Sequence, residues 1–119
     1  MNISMIGAGY VGLVSAACFS EFGWTVTCVD KDPSKIEALR QGGVPIYEPG
    51  LDELLHRNLR MGRITFASNP APADAFIIAV PTPFYEGELG EANGVQFKKA
   101  DMRAVTSAAE SIVPHLRKG

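Results

Sequence analysis

Three glycines near the amino terminus form the pattern in this sequence that points most directly to chemistry. They lie in Gly7-Ala8-Gly9-Tyr10-Val11-Gly12, between the apolar run Asn2–Ile6 and an apolar stretch of helical length. The first glycine permits a tight strand-to-helix turn, the second lets a phosphate approach the backbone, and the third lets the helix pack close to the sheet. Free N–H groups at a helix start bind phosphate. The pattern therefore predicts a site for the diphosphate of a dinucleotide.

One acidic residue at the end of the second predicted strand indicates which dinucleotide that site takes. Asp30 follows the β-branched run Thr25–Val29 and stands 18 residues after Gly12, close to the usual spacing of about 20. A carboxylate there accepts hydrogen bonds from the ribose hydroxyls and repels a 2′-phosphate, which favours NAD over NADP. Lys31 and Lys35 are near in sequence and can partly neutralise a 2′-phosphate, so NADP stays the alternative.

A second candidate contact follows the most apolar strand. Residues 75–80 are continuously apolar, as expected for a strand covered on both faces, and Pro81-Thr82-Pro83 ends them. Ligands of open α/β sheets bind outside the carboxyl ends of the strands. Thr82 is therefore a candidate hydrogen-bond partner for the cofactor, and a simple strand-ending turn is the alternative.

The elements that must position these residues alternate between strands and helices. Strands are predicted at Asn2–Ile6, Thr25–Val29, 64–66 and 75–80, and helices at 10–22, from Pro33 (capped by Asp32), from Leu51 and at 102–116 (entered from Asp101). This order predicts an α/β fold, a Rossmann-type parallel sheet with helices on both faces. With about four to five strands the sheet is incomplete, and residues 84–100 are predicted to be a long polar loop. An unpaired sheet edge invites pairing, so we expect a homo-oligomer.

Composition narrows the function further. The 119 residues suffice for one domain, predicted as a partial dinucleotide-binding domain over residues 1–119. The net charge of −2 gives no basic field for nucleic acid, and no long apolar run or basic leader points to a membrane or to secretion. We therefore expect a cytoplasmic protein. Cys18 and Cys28 lack metal-ligand spacing and are predicted to be small buried hydrophobic residues, with no metal site.

Five segments spread over nearly the whole chain carry a resemblance to one family. They are GAGYVGL at 7–13, VD at 29–30 with PSKI at 33–36, PIYEPGL at 45–51, AVPTP at 79–83 and ADM at 100–102. Together they resemble the N-terminal NAD-binding domain of the UDP-glucose/GDP-mannose dehydrogenases. Members of that family oxidise C6 of a nucleotide sugar in two steps with two NAD.

The resemblance implies roles for particular residues. Val11, Asp30, Lys35 and Thr82 would contact NAD, and residues 47–50 would form a loop close to the cofactor cleft. With the fingerprint, the predicted cofactor-binding set is Gly7, Gly9, Tyr10, Val11, Gly12, Asp30, Lys35 and Thr82. The family's catalytic cysteine, lysine and later motifs have no counterpart here, and Cys18 and Cys28 do not match that cysteine. We therefore expect no catalytic residue in this chain, no substrate or catalytic domain, and no dehydrogenase activity from it alone.

The substrate and the class of function stay open at this stage. The segment around Tyr47 resembles UDP-glucose 6-dehydrogenases, and residues 80–84 resemble the UDP-N-acetylmannosamine branch; UDP-glucose is preferred narrowly, with GDP-mannose behind both. Another hydroxyacid or 3-hydroxyacyl-CoA dehydrogenase is a rival that the 47–50 segment disfavours. A non-catalytic NAD-binding or interaction module is the rival from another class.

Overall fold

The structure is a computed structural model that describes residues 1–117. In chain order its elements are β1 (Asn2–Ile6), α1 (Tyr10–Glu21), β2 (Thr25–Val29), α2 (Pro33–Arg40), α3 (Leu51–Arg60), β3 (Ile64–Ala67), β4 (Ala75–Ile78), β5 (Phe84–Ala92), β6 (Val95–Ala100) and α4 (Arg103–Ile112), with a 3₁₀ turn at Val113–His115. Among these residues no helix has the length and apolar character that a membrane crossing requires.

The first four strands form one parallel sheet in the order β3-β2-β1-β4. Met5 of β1 stands opposite Cys28 on one side and Ile77 on the other. Parallel strands need crossover connections, and α1 supplies the one from β1 to β2 and α2 with α3 the one from β2 to β3. Residues 68–74 join β3 to β4 without a helix. The predicted α/β fold with a Rossmann-type parallel sheet is thereby confirmed.

Side-chain alternation along the strands separates two apolar layers. Met5 and Cys28 face the larger layer, whose helical residues come from α1, α2 and α3. The helices contribute seven buried residues to this layer: Leu13, Ala16, Ala17, Ile36, Leu39, Leu51 and Leu55. Ile6 and Val29 face the opposite way and pack with Ala108 of α4. Helices thus lie on both faces of the sheet, as predicted.

Local signals explain why the elements around the fingerprint begin and end where they do. Asp32 caps α2, because its carboxylate accepts the backbone N–H groups of Ser34 and Lys35 at 2.9 and 3.3 Å. Pro33 is the first residue of that helix, where no N–H is needed. Gly23 follows α1 with a φ of +100°, which permits the turn into β2. These bounds agree with the sequence prediction.

The prediction of a polar loop over residues 84–100 is wrong. The segment is a β-hairpin in which β5 and β6 pair antiparallel, with a register shift between Phe84 and Leu89. Its tip is Asn93-Gly94, with φ values of 53° and 76°, the left-handed pair that a two-residue hairpin turn requires. Sparse apolar content hid this turn signal, because the hairpin stands outside the core and every residue of β6 is exposed.

Two elements near the end of the chain differ from their predicted bounds. β4 ends at Ile78 rather than residue 80, and its residues are half-buried at one edge of the described sheet. The helix predicted for 102–116 ends at Ile112 and continues as a 3₁₀ turn that contains Pro114, which lacks an N–H for the α-helical ladder.

The two cysteines differ in their surroundings. Cys28 is buried in β2, and burial, with Asp30 nearby, raises the pKa of its thiol to about 12, so it acts as a small hydrophobic residue. The same prediction is wrong for Cys18, which is exposed. The core-facing residues of α1 are its neighbours on another face of the helix, Leu13, Ala16, Ala17 and Ser20.

The hairpin turn gives a stability prediction that separates the hairpin from the domain. Gly94→Ala places a Cβ at a left-handed φ, which costs about 1 kcal/mol. We expect faster hydrogen–deuterium exchange of amides 84–100, by about fivefold, with the melting temperature of the domain nearly unchanged. Gln96→Ala, an exposed change in the same hairpin, is the matched control. A large drop in melting temperature for Gly94→Ala would show that the hairpin supports the core.

Candidate nucleotide-binding site

The turn from β1 into α1 is packed so closely that two of its glycines leave no room for a side chain. A Cβ added to Gly12 would stand 2.9 Å from the carbonyl carbon of Gly7. A Cβ added to Gly7 would stand 2.8 Å from the carbonyl carbon of Ala79, and Gly7 has a φ of +114°. Both positions therefore require glycine for the fold: Gly12 for contact between helix and turn, and Gly7 for contact with the end of β4.

Gly9 differs from the other two, because a Cβ added there would meet no atom within 4 Å. It is the N-cap of α1, with extended backbone and a φ of −80°. The first helical hydrogen bond runs from the Leu13 N–H to the Gly9 carbonyl at 2.9 Å. The N–H groups in the first turn of α1 have no acceptor within the helix, so Gly9 leaves open space beside donors that can bind an anion.

Asp30 lies at the carboxyl end of β2 and bonds directly to the glycine turn. Its Oδ2 accepts the backbone N–H of Ala8 at 3.0 Å and pairs with the Lys35 ammonium at 3.6 Å, and its Oδ1 accepts the N–H of Asp32 at 3.0 Å. Partial burial acts to raise the pKa of Asp30, but the two N–H groups and Lys35 outweigh it and lower that pKa. The carboxylate is therefore ionised at neutral pH.

A cleft of about 410 Å³ opens beside Asp30 at the carboxyl ends of the strands. Gly7 and Gly9 border it on one side, and Val80 and Pro81 follow β4 into it. Its other lining residues are Ile6, Val29, Asp30, Lys31, Lys35, Ser68, Asn69, Pro70, Ala79, Ala104, Ser107, Ala108 and Ser111. The cleft is thus lined by apolar residues together with a few polar groups, as small-molecule sites are.

Most of the predicted cofactor-binding residues lie at the carboxyl edge of the sheet, but only some of them line the cleft. Gly7, Gly9, Asp30 and Lys35 line the cleft. Tyr10 and Val11 lie beside it in the first turn of α1, with 52% and 65% of their surface exposed. Gly12 is buried beneath the turn. Thr82 is exposed on the loop after β4, one residue beyond the cleft lining as the described residues define it.

Sequence reasoning missed two groups that line the cleft. Ser68 and Asn69 follow β3, and the rule that ligands bind at carboxyl strand ends would have pointed to them. Ala104, Ser107, Ala108 and Ser111 recur at helical spacing along one face of α4. Lys31 reaches that face, because its ammonium donates to the Ser107 hydroxyl at 3.4 Å.

A third group is Glu48, in the connection between α2 and α3. The resemblance places residues 47–50 close to the cofactor cleft, but the contact that Glu48 makes there was not predicted. The Tyr10 hydroxyl donates a hydrogen bond to its Oε2 at 2.5 Å. That bond, followed by the negative charge of Glu48, raises the pKa of Tyr10. Tyr47 beside it is 92% exposed. The segment predicted to lie near the cofactor therefore reaches the first residue of α1.

Comparison with known proteins agrees with this geometry. The model of the UDP-glucose/GDP-mannose dehydrogenase family, NAD binding domain, matches residues 1–119. The UDP-glucose 6-dehydrogenase of Rhizobium meliloti is 46% identical over 121 residues, covering 98% of this chain and 26% of that protein.

Two solved structures share the fold. The UDP-N-acetyl-mannosamine dehydrogenase of Staphylococcus aureus superposes with a TM-score of 0.88 at 35% identity, covering all of this chain and 27% of that one. A UDP-glucose dehydrogenase from Pyrobaculum islandicum superposes with a TM-score of 0.80 at 41% identity, covering 93% and 24%. The chain therefore spans about a quarter of the length of the relatives it matches.

The glycine geometry predicts opposite outcomes for two similar substitutions. Gly12→Ala must displace the Gly7 backbone and is expected to lower the free energy of unfolding by about 3 kcal/mol. Gly9→Ala enters open space with extended backbone and is expected to change it by less than about 0.5 kcal/mol. Urea unfolding followed by circular dichroism measures both. Equal losses for the two variants would contradict the packing described for Gly12.

Proposed function

We propose, from the premise that this chain belongs to the UDP-glucose/GDP-mannose dehydrogenase family, that its glycine turn and cleft bind NAD in one defined orientation. The observation that carries the proposal is the juxtaposition of the vacant Gly9 position with the Asp30 carboxylate, which bonds to Ala8 between the two glycines. In this orientation the diphosphate lies at Gly9 and the adenosine ribose at Asp30.

The first turn of α1 suits the diphosphate. Its N–H groups and the positive end of the helix dipole favour an anion. The absence of a side chain at Gly9 lets that anion reach the backbone. Tyr10 and Val11, the first two helical residues, contribute backbone N–H groups to the same site.

Asp30 and the cleft suit the adenosine half. A carboxylate can accept about four hydrogen bonds, and the protein supplies Asp30 with two N–H donors and one ammonium. Capacity for one ribose hydroxyl remains, and a second can bond where it replaces the Lys35 ammonium, which is 3.6 Å away. The adenine would enter the cleft between Val80 and the small residues of α4, and Lys35 would stand beside the ribose. Thr82, just past Pro81, is proposed to contact the cofactor from the loop after β4.

NAD supplies the hydride acceptor of the dehydrogenase reaction when it is bound. The residues of this chain hold and orient the cofactor, and the negative charge of Asp30 favours NAD over NADP. Among residues 1–117, we propose no residue that contacts the reacting carbon of a substrate. The chain is accordingly proposed to bind NAD without catalysing an oxidation by itself.

Calorimetric titration of this chain with NAD and NADP at matched ionic strength tests the proposal. We expect saturable binding of NAD and much weaker binding of NADP. Asp30→Asn keeps an oxygen for the Ala8 N–H but removes the charge, so the preference for NAD should fall by about tenfold.

Asp74→Asn is the matched control for that variant. Asp74 also accepts a backbone N–H, from Asn2 at 2.8 Å, but it precedes β4 at the opposite edge of the sheet. We expect no change in NAD affinity for it. Failure of the folded wild-type chain to bind either dinucleotide would overturn the proposal, and an unchanged preference in Asp30→Asn would overturn the role of Asp30.

For the whole protein we propose oxidation of C6 of UDP-glucose to the carboxylate of UDP-glucuronate. The alcohol-to-carboxylate change releases four electrons, so two NAD are consumed per sugar. The support is the set of relatives named as UDP-glucose 6-dehydrogenases, one of them 46% identical. The chain spans 26% of that relative, so the sugar-binding and catalytic residues of the proposal lie outside the sequence described here.

UDP-N-acetylmannosamine is the second candidate substrate, with GDP-mannose behind it. It is favoured by the superposition on the Staphylococcus aureus enzyme, which covers the whole chain, whereas the Pyrobaculum islandicum UDP-glucose dehydrogenase covers 93%. A non-catalytic NAD-binding module is the alternative from another class. Cytoplasmic location and a homo-oligomeric state stay predictions.

The substrate proposal is tested on the gene that encodes this chain. We expect a downstream cysteine motif of the family and, from the full-length product, two NADH per UDP-glucose measured by absorbance at saturating NAD. UDP-N-acetylmannosamine and GDP-mannose are the comparison substrates. Faster turnover of either would replace UDP-glucose, and a stop codon directly after Gly119 would favour the non-catalytic module.

A further inference from the structure

A hydrogen bond across 38 residues of sequence joins the start of α1 to the connection between α2 and α3. We call residues 44–50 the 44–50 loop. Val44 and Ile46 pack against the core, and Tyr47 between Ile46 and Glu48 is almost fully exposed. The apolar anchors hold the first half of the loop. The Tyr10 hydroxyl, bonded to Glu48, holds the half nearest the helix.

The position of Tyr10 makes this bond relevant to a ligand. Tyr10 is the first residue of α1 and directly follows Gly9, whose side-chain position is open space. Side chains of a helix tilt toward its amino terminus, so the phenol projects toward the end of α1 where an anion binds. The Glu48 carboxylate is thus held one tyrosine side chain away from that anion site.

A carboxylate at that distance from a diphosphate would weaken binding of the diphosphate unless the carboxylate is restrained. Charges closer than about 10 Å still interact at ordinary ionic strength. A free carboxylate can also accept the N–H groups at a helix start, as acidic N-cap residues do, and it would then occupy the donors that the diphosphate needs. The phenol prevents this by giving the carboxylate a fixed donor.

We propose that Tyr10 is a positioning residue of the cofactor site, whose hydroxyl holds the Glu48 carboxylate and the 44–50 loop away from the diphosphate. This inference rests on the proposed function, because it concerns the affinity for NAD. It adds a role for the tyrosine side chain and for Glu48 to a site otherwise made of backbone and Asp30.

Calorimetric titration of a small set of variants with NAD tests the inference. Tyr10→Phe releases the carboxylate and is expected to weaken NAD binding by about fivefold. The double variant Tyr10→Phe with Glu48→Gln removes the released charge and should restore affinity to within about twofold of wild type. Glu48→Gln alone keeps an oxygen that accepts the Tyr10 hydroxyl and removes a negative charge, so it should not weaken NAD binding. Glu53→Gln, the same change at an exposed position of α3 outside the cleft lining, is the matched control with wild-type affinity.

Hydrogen–deuterium exchange of the 44–50 loop in the free chain provides the second readout. Both variants that carry Tyr10→Phe lack the bond, so we expect faster exchange in both, although only the single variant binds NAD more weakly. A bond that is merely structural would weaken NAD binding in both variants alike. The rescue by Glu48→Gln therefore separates control of charge from support of the loop.

The possible outcomes keep this inference apart from the proposed function. If the wild-type chain binds NAD and Tyr10→Phe binds it equally well, the inference is overturned and the proposed function stands. If Tyr10→Phe is weaker and the double variant is not restored, the charge-holding role is overturned. If the folded wild-type chain binds no NAD, the proposed function is overturned and the inference falls with it.

Discussion

The close approach of Gly12 to the backbone of Gly7 is the contact on which the rest of the site depends. No side chain fits between them, and Gly7 lies equally close to Ala79 at the end of β4. The start of α1, the end of β1 and the end of β4 therefore meet as backbone against backbone. Because this junction is backbone packed on backbone, the helix end has one position relative to the sheet. The N–H groups of its first turn are consequently aimed at the carboxyl edge before any ligand arrives.

Asp30 stabilises the glycine turn, and its geometry is compatible with the ribose-binding role proposed for it. The N–H groups of Ala8 and Asp32 hold the carboxylate from two sides, and Lys35 neutralises part of its charge. These contacts fix the orientation of the carboxylate and lower its pKa, so it needs little reordering to accept ribose hydroxyls. The same bond to Ala8 ties the glycine turn to β2. In the proposed orientation of NAD, recognition of the ribose and the shape of the glycine turn are thereby linked through one side chain.

Local chemistry made some elements predictable, and long-range packing hid others. β1 and β2, and the start of α2, were placed correctly because Asp32, Pro33 and Gly23 act on their immediate neighbours. The hairpin was not predicted, although Asn93-Gly94 is a typical hairpin turn, because the segment is polar and every residue of β6 is exposed. In the site, glycine spacing and Asp30 were visible in sequence. The resemblance placed residues 47–50 near the cleft, but the bond between Glu48 and Tyr10 and the face of α4 were not predicted, because only the fold brings these residues together.

The path of the chain explains how Glu48 comes to that turn. Two helices rather than one separate β2 from β3. α3 ends at the amino edge of the sheet, where the Arg63 carbonyl following it accepts the Val26 N–H. Ten helical residues span about 15 Å, so the first residue of α3 lies toward the carboxyl edge. The connection between α2 and α3 must therefore return to the carboxyl edge of the sheet, where ligands of such sheets bind. An additional helix in the crossover thus brings Glu48 close to the start of α1, where the proposed anion site lies, and the hydroxyl of Tyr10 at the first position of α1 donates to its carboxylate.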